Sequence, residues 1–389
     1  MVNSLGGDLE TIWRRLRTGD QSRFSARSDF LPHRPLVVAA IDEKLPDIPE
    51  ALSAHRCRNN AVTLAALRQI EPAVRTVLAK TDPARVAVVM GTSTAGATSM
   101  EQAVADHMNH GEFSDAFHYP QAEFGGTAGF VAGALGITGP RYSISTACSS
   151  GARALASARS LLSLGLCDAV VAGATDTLCG LVTNGFSALH AVSEQITNPC
   201  SANRSGLTLG EGSAVFLVTA EAGGVQLRGV GESSEAHHMS APDPSGAGAE
   251  QAMRAALDDA EVRANAIHYL NLHGTGTPQN DSMECKAVAR VFSNPLPCSS
   301  TKPLVGHTLG AAGAIEAGIC WMALSQREAR SMSLPPHRYD GVWDPELPEI
   351  TLVDEGDSAS LDPEAEALAM SNSFGFGGNN CALILGSTS

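Results

Sequence analysis

The stretch that decides how the rest of the chain is interpreted is Tyr142-Ser-Ile-Ser-Thr-Ala-Cys148-Ser-Ser-Gly151, followed by an Ala-rich run over residues 152–164. It predicts a short strand, a tight turn that holds Cys148, and a helix with few charges. The start of a helix favours a thiolate, whereas burial favours the neutral thiol. Two interpretations of Cys148 follow: a nucleophile at a helix start, or a small apolar core residue among nine cysteines.

The length and composition indicate a globular protein with two halves of similar size. The chain has 389 residues, more than one compact core usually holds, and its hydrophobic content is 43%. No run of about 18 apolar residues occurs, so we expect no membrane span. The first seven residues lack a basic segment followed by an apolar block, so we expect no secretory signal and a cytoplasmic protein.

The charge and the cysteines exclude several classes of function. The net charge of −15 argues against a nucleic-acid footprint. An acidic partner would need a local basic patch. The nine cysteines include no Cys-x-x-Cys spacing, which argues against a disulfide framework and against a zinc site. We therefore expect reduced thiols and no metal.

Buried strands alternate with helices along the chain. The runs 85–90 and 168–173 are continuous and apolar, and with the helix behind Cys148 they form a βαβ-type unit. Further strands are predicted at 212–219, 225–230, 267–272, 367–371 and 382–385. Helices are predicted at 9–17, 61–70, 249–260, 281–292 and 313–326, and a loop-rich segment is predicted up to residue 50.

A short internal similarity suggests a duplicated unit. The sequence Val-Ala-Val-Val-Met-Gly91-Thr-Ser-Thr in the first half is similar to Tyr-Leu-Asn-Leu-His-Gly274-Thr-Gly-Thr in the second. In both, a buried strand opens into a Gly-Thr turn. Similarities this short also arise by chance. If the similarity is real, it predicts two related α/β halves with an active site where they meet.

Four Gly-rich turns place polar or reactive side chains beside backbone that a ligand can approach closely. They lie at residues 145–151, 271–277, 300–313 and 371–379. Together, in this order and over nearly the whole chain, they resemble the β-ketoacyl synthase family, in particular its elongating Cys-His-His condensing enzymes. The resemblance implies an α/β fold of the thiolase-like layered αβαβα type, built from two duplicated α/β halves. We place these at 1–219, with the nucleophile, and 220–389, with two histidines and a lysine.

The resemblance implies a decarboxylating condensation between two acyl thioesters. Cys148 takes the first acyl group, because a thiolate exchanges readily with thioesters. His273 and His307 donate hydrogen bonds to the enolate that forms when a malonyl thioester loses CO₂. The backbone N–H groups of Cys148 and Phe376 hold the oxyanion of the acyl group under attack.

Further residues have supporting roles by the same resemblance. Lys302 matches an active-site lysine, and its pairing with Glu316 is expected because neither charge should be buried alone. Asp281 and Asn372 are expected to support the neighbouring turns. Phe374, Phe376 and Gly377 form the gating and oxyanion loop, with Phe376 as the gate. Both phenylalanines are also compatible with simple core packing.

Three features depart from the family pattern. Residues 2–6 resemble only the end of its first strand, so roughly six to ten residues of that strand are expected to be missing, through a start-site error or a differently built sheet. Leu207 stands where many relatives have Phe, and Thr94 lies in a loop that often presents a bulky aliphatic residue to the acyl pocket. Both are candidates for reshaping that pocket toward a non-standard acyl chain.

The implied partner is acyl carrier protein, whose phosphopantetheine carries the substrates, and no other cofactor is expected. Arg56 and Arg58 are candidates for docking it, or are solvated surface cations. The family implies a homodimer, or a heterodimer with a related ketosynthase-like subunit. Fatty-acid and polyketide synthesis, including aryl-polyene synthesis, stay open. The alternatives are a non-catalytic chain-length partner subunit and a thiolase-like enzyme that uses coenzyme A.

Overall fold

The computed structural model describes residues 1–31 and 34–387, which form two halves of similar construction. The strands of the first half are β1 (Val2–Asn3), β2 (Ser25–Arg27), β3 (Leu36–Ala39), β4 (Val86–Gly91), β5 (Arg141–Ile144), β6 (Ala169–Asp176), β7 (Leu209–Gly210) and β8 (Gly212–Thr219). Its helices are α1 (Leu9–Arg17), α2 (Arg58–Leu78), α3 (Ala97–His110), α4 (Gly126–Leu135), α5 (Ser150–Ser163) and α6 (Gly180–Ala188).

The second half has its own set of strands and helices. The strands are β9 (Val225–Ser234), β10 (Tyr269–Asn271), β11 (Pro297–Ser299), β12 (Ser331–Ser333), β13 (Thr351–Leu352), β14 (Ser358–Ser360), β15 (Ala367–Gly375) and β16 (Asn379–Ser387). The helices are α7 (Ala247–Asp259), α8 (Pro278–Val291), α9 (Lys302–Val305) and α10 (Ala312–Ser325).

The two large sheets have the same arrangement of strand directions. In the first, the order is β1-β8-β6-β4-β5, where β6, β4 and β5 are parallel, β8 is antiparallel to β6, and β1 is antiparallel to β8. In the second, the order is β13-β11-β10-β15-β16-β9, where β13, β11, β10 and β15 are parallel, β16 is antiparallel to β15, and β9 is antiparallel to β16. The strands β4 and β10 therefore hold equivalent positions. These are the two strands of the predicted internal similarity, so the duplication is confirmed.

Two helices lie between the sheets and bring the halves together. Helix α5 packs on β4 and β6, α10 packs on β15 and β16, and the two helices contact each other. A Cβ on Gly151 would lie 2.6 Å from the backbone N of Ala314, and one on Gly313 would lie 2.7 Å from the backbone N of Ala152. The helices meet this closely because neither glycine has a side chain.

The outer faces of both sheets are also covered by helices. Helices α2 and α4 pack on the first sheet, and α7 and α8, which contact each other, share one buried core with the second sheet. The layers are therefore helix, sheet, helix, sheet, helix, which confirms the predicted αβαβα fold. We propose the division of the chain after Thr219, because β8 is the last strand of the first sheet and β9 begins the second.

Most predicted strands and helices are present, and several elements were not predicted. Strand 212–219 has the predicted bounds, whereas β6, β15 and β16 are longer than the apolar runs that indicated them. Helices α3, α4 and α6 were missed. The segment predicted as loop contributes β2 and β3 to a small sheet with β7. That sheet pairs residue 38 with residue 209, a long-range contact that no local pattern encodes.

The first strand is as short as the sequence indicated. Strand β1 pairs only Val2 and Asn3 with Ser213 and Gly212 of β8.

Among the described residues, no helix combines the length and the apolar character that crossing a membrane requires.

Candidate active site

Cys148 lies in a constrained turn between β5 and α5. The residue before it, Ala147, has a left-handed φ of 52°, which is uncommon for a residue with a side chain. The hydroxyl of Ser150 accepts the N–H of Thr146 at 2.9 Å and donates to the carbonyl of Ala147 at 2.6 Å. The side chain of Cys148 is buried. The turn therefore aims the thiol into the space between the two halves.

His307 holds the thiol from the second half. Its Nε2 lies 3.1 Å from the sulfur of Cys148. Its Nδ1 accepts the backbone N–H of Leu309 at 3.1 Å, so a neutral ring carries its proton on Nε2. Burial, followed by the positive charge of Lys302, holds the pKa of His307 well below its usual range. The ring is therefore a neutral donor aimed at the sulfur.

His273 has an equivalent arrangement at the end of β10. The ammonium of Lys302 lies 3.4 Å from its Nδ1, which leaves the proton of a neutral ring on Nε2. Burial, then Lys302 and His307, holds the pKa of His273 well below its usual range. The two imidazole rings stand edge to face with centroids 5.4 Å apart. Two neutral N–H donors therefore converge beside Cys148, the requirement for stabilising an enolate oxygen.

Lys302 and Glu316 form the predicted buried ion pair. Lys302 donates to Glu316, and their side chains are 1% and 2% exposed. Burial raises the pKa of Glu316 to about 7, although Lys302 acts in the opposite direction. Each charge removes much of the cost of burying the other, so the pair can remain in an apolar core.

Of the two opposing effects that the sequence indicated for the pKa of the Cys148 thiol, burial prevails over the helix start. Burial raises the pKa of the Cys148 thiol to about 11, against the charge of Lys302 and the backbone N–H groups of Phe376 and Cys148. Burial therefore outweighs the favourable donors. Those two N–H groups are the predicted oxyanion donors, and both face the sulfur.

The end of β15 and the turn that follows it line the cavity beside this cluster. The ring of Phe374 packs edge-on against His273 with centroids 6.0 Å apart, and the ring of Phe376 lies 5.4 Å from that of Phe186. Gly377 has a left-handed φ of 79°, which a residue with a side chain adopts only at a cost. The end of β15 thus places Phe374 beside His273, and the turn that follows places Phe376 beside Phe186 of α6. The gating role of Phe376 stays a prediction.

Two buried carboxylates on α8 hold the His273 turn, and only one was predicted. Asp281 accepts the N–H groups of Cys200 at 2.9 Å and Gly276 at 3.1 Å. Glu284 accepts the N–H groups of His273 at 2.8 Å and Gly274 at 2.7 Å. The signal that was available is their spacing of three residues, which puts both acids on one face of the helix.

The predicted supporting residue Asn372 belongs to the same network. Its side-chain amide donates to Glu284 at 3.1 Å. It therefore connects β15, which carries Phe374 and leads into the turn with Phe376, to the carboxylate that fixes the His273 turn.

A cavity of about 400 Å³ leads to the thiol. Its lining includes Cys148, both histidines, both phenylalanines and Leu207. Leu207 is one of the two acyl-pocket candidates from the sequence. Thr94 is not in this lining. Its hydroxyl donates to the buried carboxylate of Asp176 at 2.7 Å, a residue that the sequence did not single out. Thr94 therefore does not line this cavity, and its role in the acyl pocket stays a prediction.

The two docking candidates have different surroundings. Arg58 donates through Nε to the buried Glu211 at 3.0 Å and through Nη2 to the carbonyl of Ile41 at 3.1 Å. Arg56 is exposed and pairs with the exposed Glu50 at 2.9 Å. Much of the donor capacity of Arg58 is used inside the protein, and the docking role of both stays a prediction.

The thiol and imidazoles also have the composition of a metal-binding group. The sulfur of Cys148 and one nitrogen of each histidine lie within 4.8 Å of one another. The ammonium of Lys302 stands 3.4 Å from His273 and opposes a cation there. The donor set therefore fits proton and acyl chemistry better than metal binding.

The family models agree with this site. Residues 59–222 match the β-ketoacyl synthase N-terminal domain, and residues 225–332 match the β-ketoacyl synthase C-terminal domain. The chain belongs to the β-ketoacyl synthase family and is a condensing enzyme with a thiolase-like fold.

Individual relatives cover the whole chain. The 3-oxoacyl-[acyl-carrier-protein] synthase 2 of Staphylococcus aureus is 29% identical over 404 residues, 98% of each chain. The corresponding enzyme of Coxiella burnetii is 30% identical and covers 99% of this chain and 96% of its own. Among solved structures, the ketosynthase (ApeO) of Xenorhabdus doucetiae, in complex with its chain length factor (ApeC), is 42% identical with a TM-score of 0.93, covering 100% of this chain and 96% of its own. A β-ketoacyl synthase from Burkholderia phymatum is 28% identical with a TM-score of 0.86, covering 100% and 97%.

Proposed function

We propose that this chain is the catalytic ketosynthase subunit that condenses an acyl group with malonyl-acyl carrier protein. The observation that carries the proposal is the convergence of His307 Nε2, 3.1 Å from the Cys148 sulfur, with the His273 ring that Lys302 orients. The cavity leads directly to this point. A cavity that leads to a buried thiol suits a substrate carried on an extended phosphopantetheine arm.

The reaction follows from the positions of the donors. The sulfur of Cys148 attacks the acyl thioester, the pantetheine thiol leaves with the proton, and the N–H groups of Cys148 and Phe376 hold the oxyanion. Malonyl thioester then loses CO₂, and its enolate oxygen accepts from His273 and His307. The carbanion attacks the acyl carbonyl and releases the Cys148 thiolate. One CO₂ is released per condensation, and the thiolate takes up one proton from solvent to restore the Cys148 thiol.

The decisive experiment is mass spectrometry of the protein after incubation with acyl carrier proteins of different acyl chains. We expect one acyl group, located on the peptide that contains Cys148, and none in Cys148→Ala. Cys57→Ala is the matched control, because Cys57 is also a buried thiol outside the site. An acyl group on another residue contradicts the proposal. Undiminished condensation by Cys148→Ala in a reconstituted system supports the non-catalytic partner role instead.

The choice of carrier and pathway is tested with the same protein. Equal condensation rates with coenzyme A thioesters support a thiolase-like enzyme. The identity to the ketosynthase solved with a chain length factor is 42%, against 29% and 30% for the 3-oxoacyl synthases, which favours a polyketide-type pathway, such as aryl-polyene synthesis. Unsaturated or unreduced products of defined length support that pathway, whereas ordinary saturated extension supports fatty-acid synthesis.

A second proposal concerns the partner subunit. Glu101 of α3 accepts the N–H groups of Gly180 and Leu181 at the start of α6, at 3.0 and 2.5 Å. Val104 and Met108 lie three and seven residues along α3 and are 43% and 80% exposed, and Leu181 is 68% exposed. We call these three residues the α3–α6 patch. Adjacent exposed apolar side chains of this kind mark interaction surfaces.

We propose that the α3–α6 patch binds a related ketosynthase-like subunit, as in the Xenorhabdus complex of ketosynthase and chain length factor. Light scattering of the chain alone and with such a subunit tests this. We expect Met108→Glu to prevent the heterodimer, whereas Leu164→Glu, at an exposed position of 72% outside the patch, preserves it. A stable homodimer of the chain alone contradicts the heterodimer and supports self-association.

A further inference from the structure

Asp176 is a buried carboxylate that connects the two halves outside the reacting groups. It lies at the end of β6, and its oxygens accept the hydroxyls of Thr92, Ser93 and Thr94 at 2.6, 2.6 and 2.7 Å. They also accept the backbone N–H groups of Ser93 and Thr94 at 2.9 and 3.0 Å. The remaining donor comes from the second half: the N–H of Gly310, at 2.6 Å.

The bond to Gly310 lies one residue from the contact that orients His307. Leu309 has a left-handed φ of 56°, a conformation that costs about 1 kcal/mol or more unless the surroundings hold it. In this conformation the N–H of Leu309 donates to Nδ1 of His307 at 3.1 Å. Asp176 anchors the next peptide, and the hydroxyl of Ser93 also accepts from Gly310 at 3.2 Å.

We propose that Asp176 is a positioning residue for His307. By anchoring Gly310, it holds Leu309 in the left-handed conformation. The N–H of Leu309 then donates to Nδ1 of His307, so the imidazole proton stays on Nε2 and faces Cys148. A carboxylate suits this position because both of its oxygens accept, whereas an amide has one oxygen and one NH₂ group. The predicted effect on the reaction rests on the proposed function, but the predicted effect on the imidazole does not.

The test reads the imidazole directly. Nitrogen-15 NMR of the histidine rings distinguishes the two tautomers, and His307→Ala identifies the signals. We expect the Nε2-protonated form in the native protein and a mixture of tautomers in Asp176→Asn. The rate of malonyl-acyl carrier protein decarboxylation should fall about 100-fold, because misplacing a catalytic group by a fraction of an ångström to 1 Å has effects of this size.

A second variant separates positioning from folding. A Cβ at Gly310 would lie 2.7 Å from the Asp176 carboxylate, so Gly310→Ala disturbs the same hydrogen bond without removing the acid. We expect the same tautomer mixture. Val170→Ala is the control, because it weakens the core of β6 without touching Asp176, and it should keep the native tautomer.

The outcomes discriminate between the explanations. An unchanged tautomer in either folded variant overturns the positioning role, even if activity is lost. A shifted tautomer in a protein whose native form never decarboxylates malonyl carrier protein supports the positioning role and contradicts the proposed function.

Discussion

The turns after β4 and β10 occupy equivalent places in the two halves, yet they carry different side chains: His273 of the second turn lies in the cluster with Cys148 and His307. After β4, Thr92, Ser93 and Thr94 donate to Asp176. After β10, the N–H groups of His273 and Gly274 donate to Glu284. Both turns are therefore anchored on a buried carboxylate. One duplicated scaffold therefore fixes the backbone in both halves, and the two turns differ in the residue before Gly91 and Gly274.

That residue is Met90 in the first half and His273 in the second. Met90 is fully buried in an apolar cluster, whereas His273 faces Lys302 and the rings of His307 and Phe374. The equivalent backbone position thus serves packing in the first half, whereas in the second it places an imidazole beside Cys148, where we propose that it donates a hydrogen bond.

The largest effect is expected from removing the buried ammonium group of Lys302 in the second half. Lys302→Met leaves Glu316 as a buried charge without its partner, which should lower the free energy of unfolding by about 3–5 kcal/mol. Denaturant titration measures this loss. The double variant Lys302→Met, Glu316→Leu should recover much of the stability. A single variant as stable as the native protein would show that the pair is not desolvated in solution.

Removing the imidazole of the second turn should affect the reaction more than the fold. His273→Ala deletes one of two donors to the enolate oxygen, so decarboxylation of malonyl-acyl carrier protein should slow by about 10²–10³-fold. A stopped assay of CO₂ release measures it. Acylation of Cys148 should persist, because its oxyanion donors are backbone groups. Loss of acylation together with decarboxylation would mean that the turn itself had collapsed.

The buried carboxyl group of Glu316 should make the stability of the protein depend on pH. Because the pKa of Glu316 is raised from 4.5 to about 7, the native state binds more protons than the unfolded state between these values. Its contribution is complete below about pH 4.5 and is lost as the pH rises through about 7, with a total of about 3 kcal/mol. Thermal unfolding from pH 5 to 8 measures the slope. Glu316→Gln should flatten it, and an unchanged slope would assign it to other groups.

The smallest effect is expected at the equivalent position of the first half. Met90→Leu preserves an apolar side chain of similar volume, so it should cost less than about 1.5 kcal/mol and leave condensation unchanged. Chemical denaturation and a condensation assay test both points. A loss of activity comparable to that of His273→Ala would show that the two turns are functionally coupled.

Much of the site was predictable because its residues lie in compact motifs. Cys148, His273, Lys302 and His307 each occur in a Gly-rich turn with a definite residue pattern. Glu284 and Asp176 were missed because their roles depend on the backbone N–H groups that the fold brings to them. The contact of Thr94 with Asp176 was missed for the same reason, because the direction of a side chain in a loop depends on what packs around it.

From the sequence by itself, the alternation of buried strands with helices and the four Gly-rich turns could be predicted, because apolar periodicity and glycine spacing are local properties. The resemblance of those turns to the β-ketoacyl synthase family implied the layered fold, and the short internal similarity indicated the duplication. Only the tertiary structure decided the state of the reacting groups. It brought His307 Nε2 to 3.1 Å from Cys148, turned Thr94 toward Asp176, and buried the thiol. Burial raises the pKa of that thiol to about 11 and so prevails over the opposing effect of the helix start, because desolvation depends on every residue packed around the sulfur.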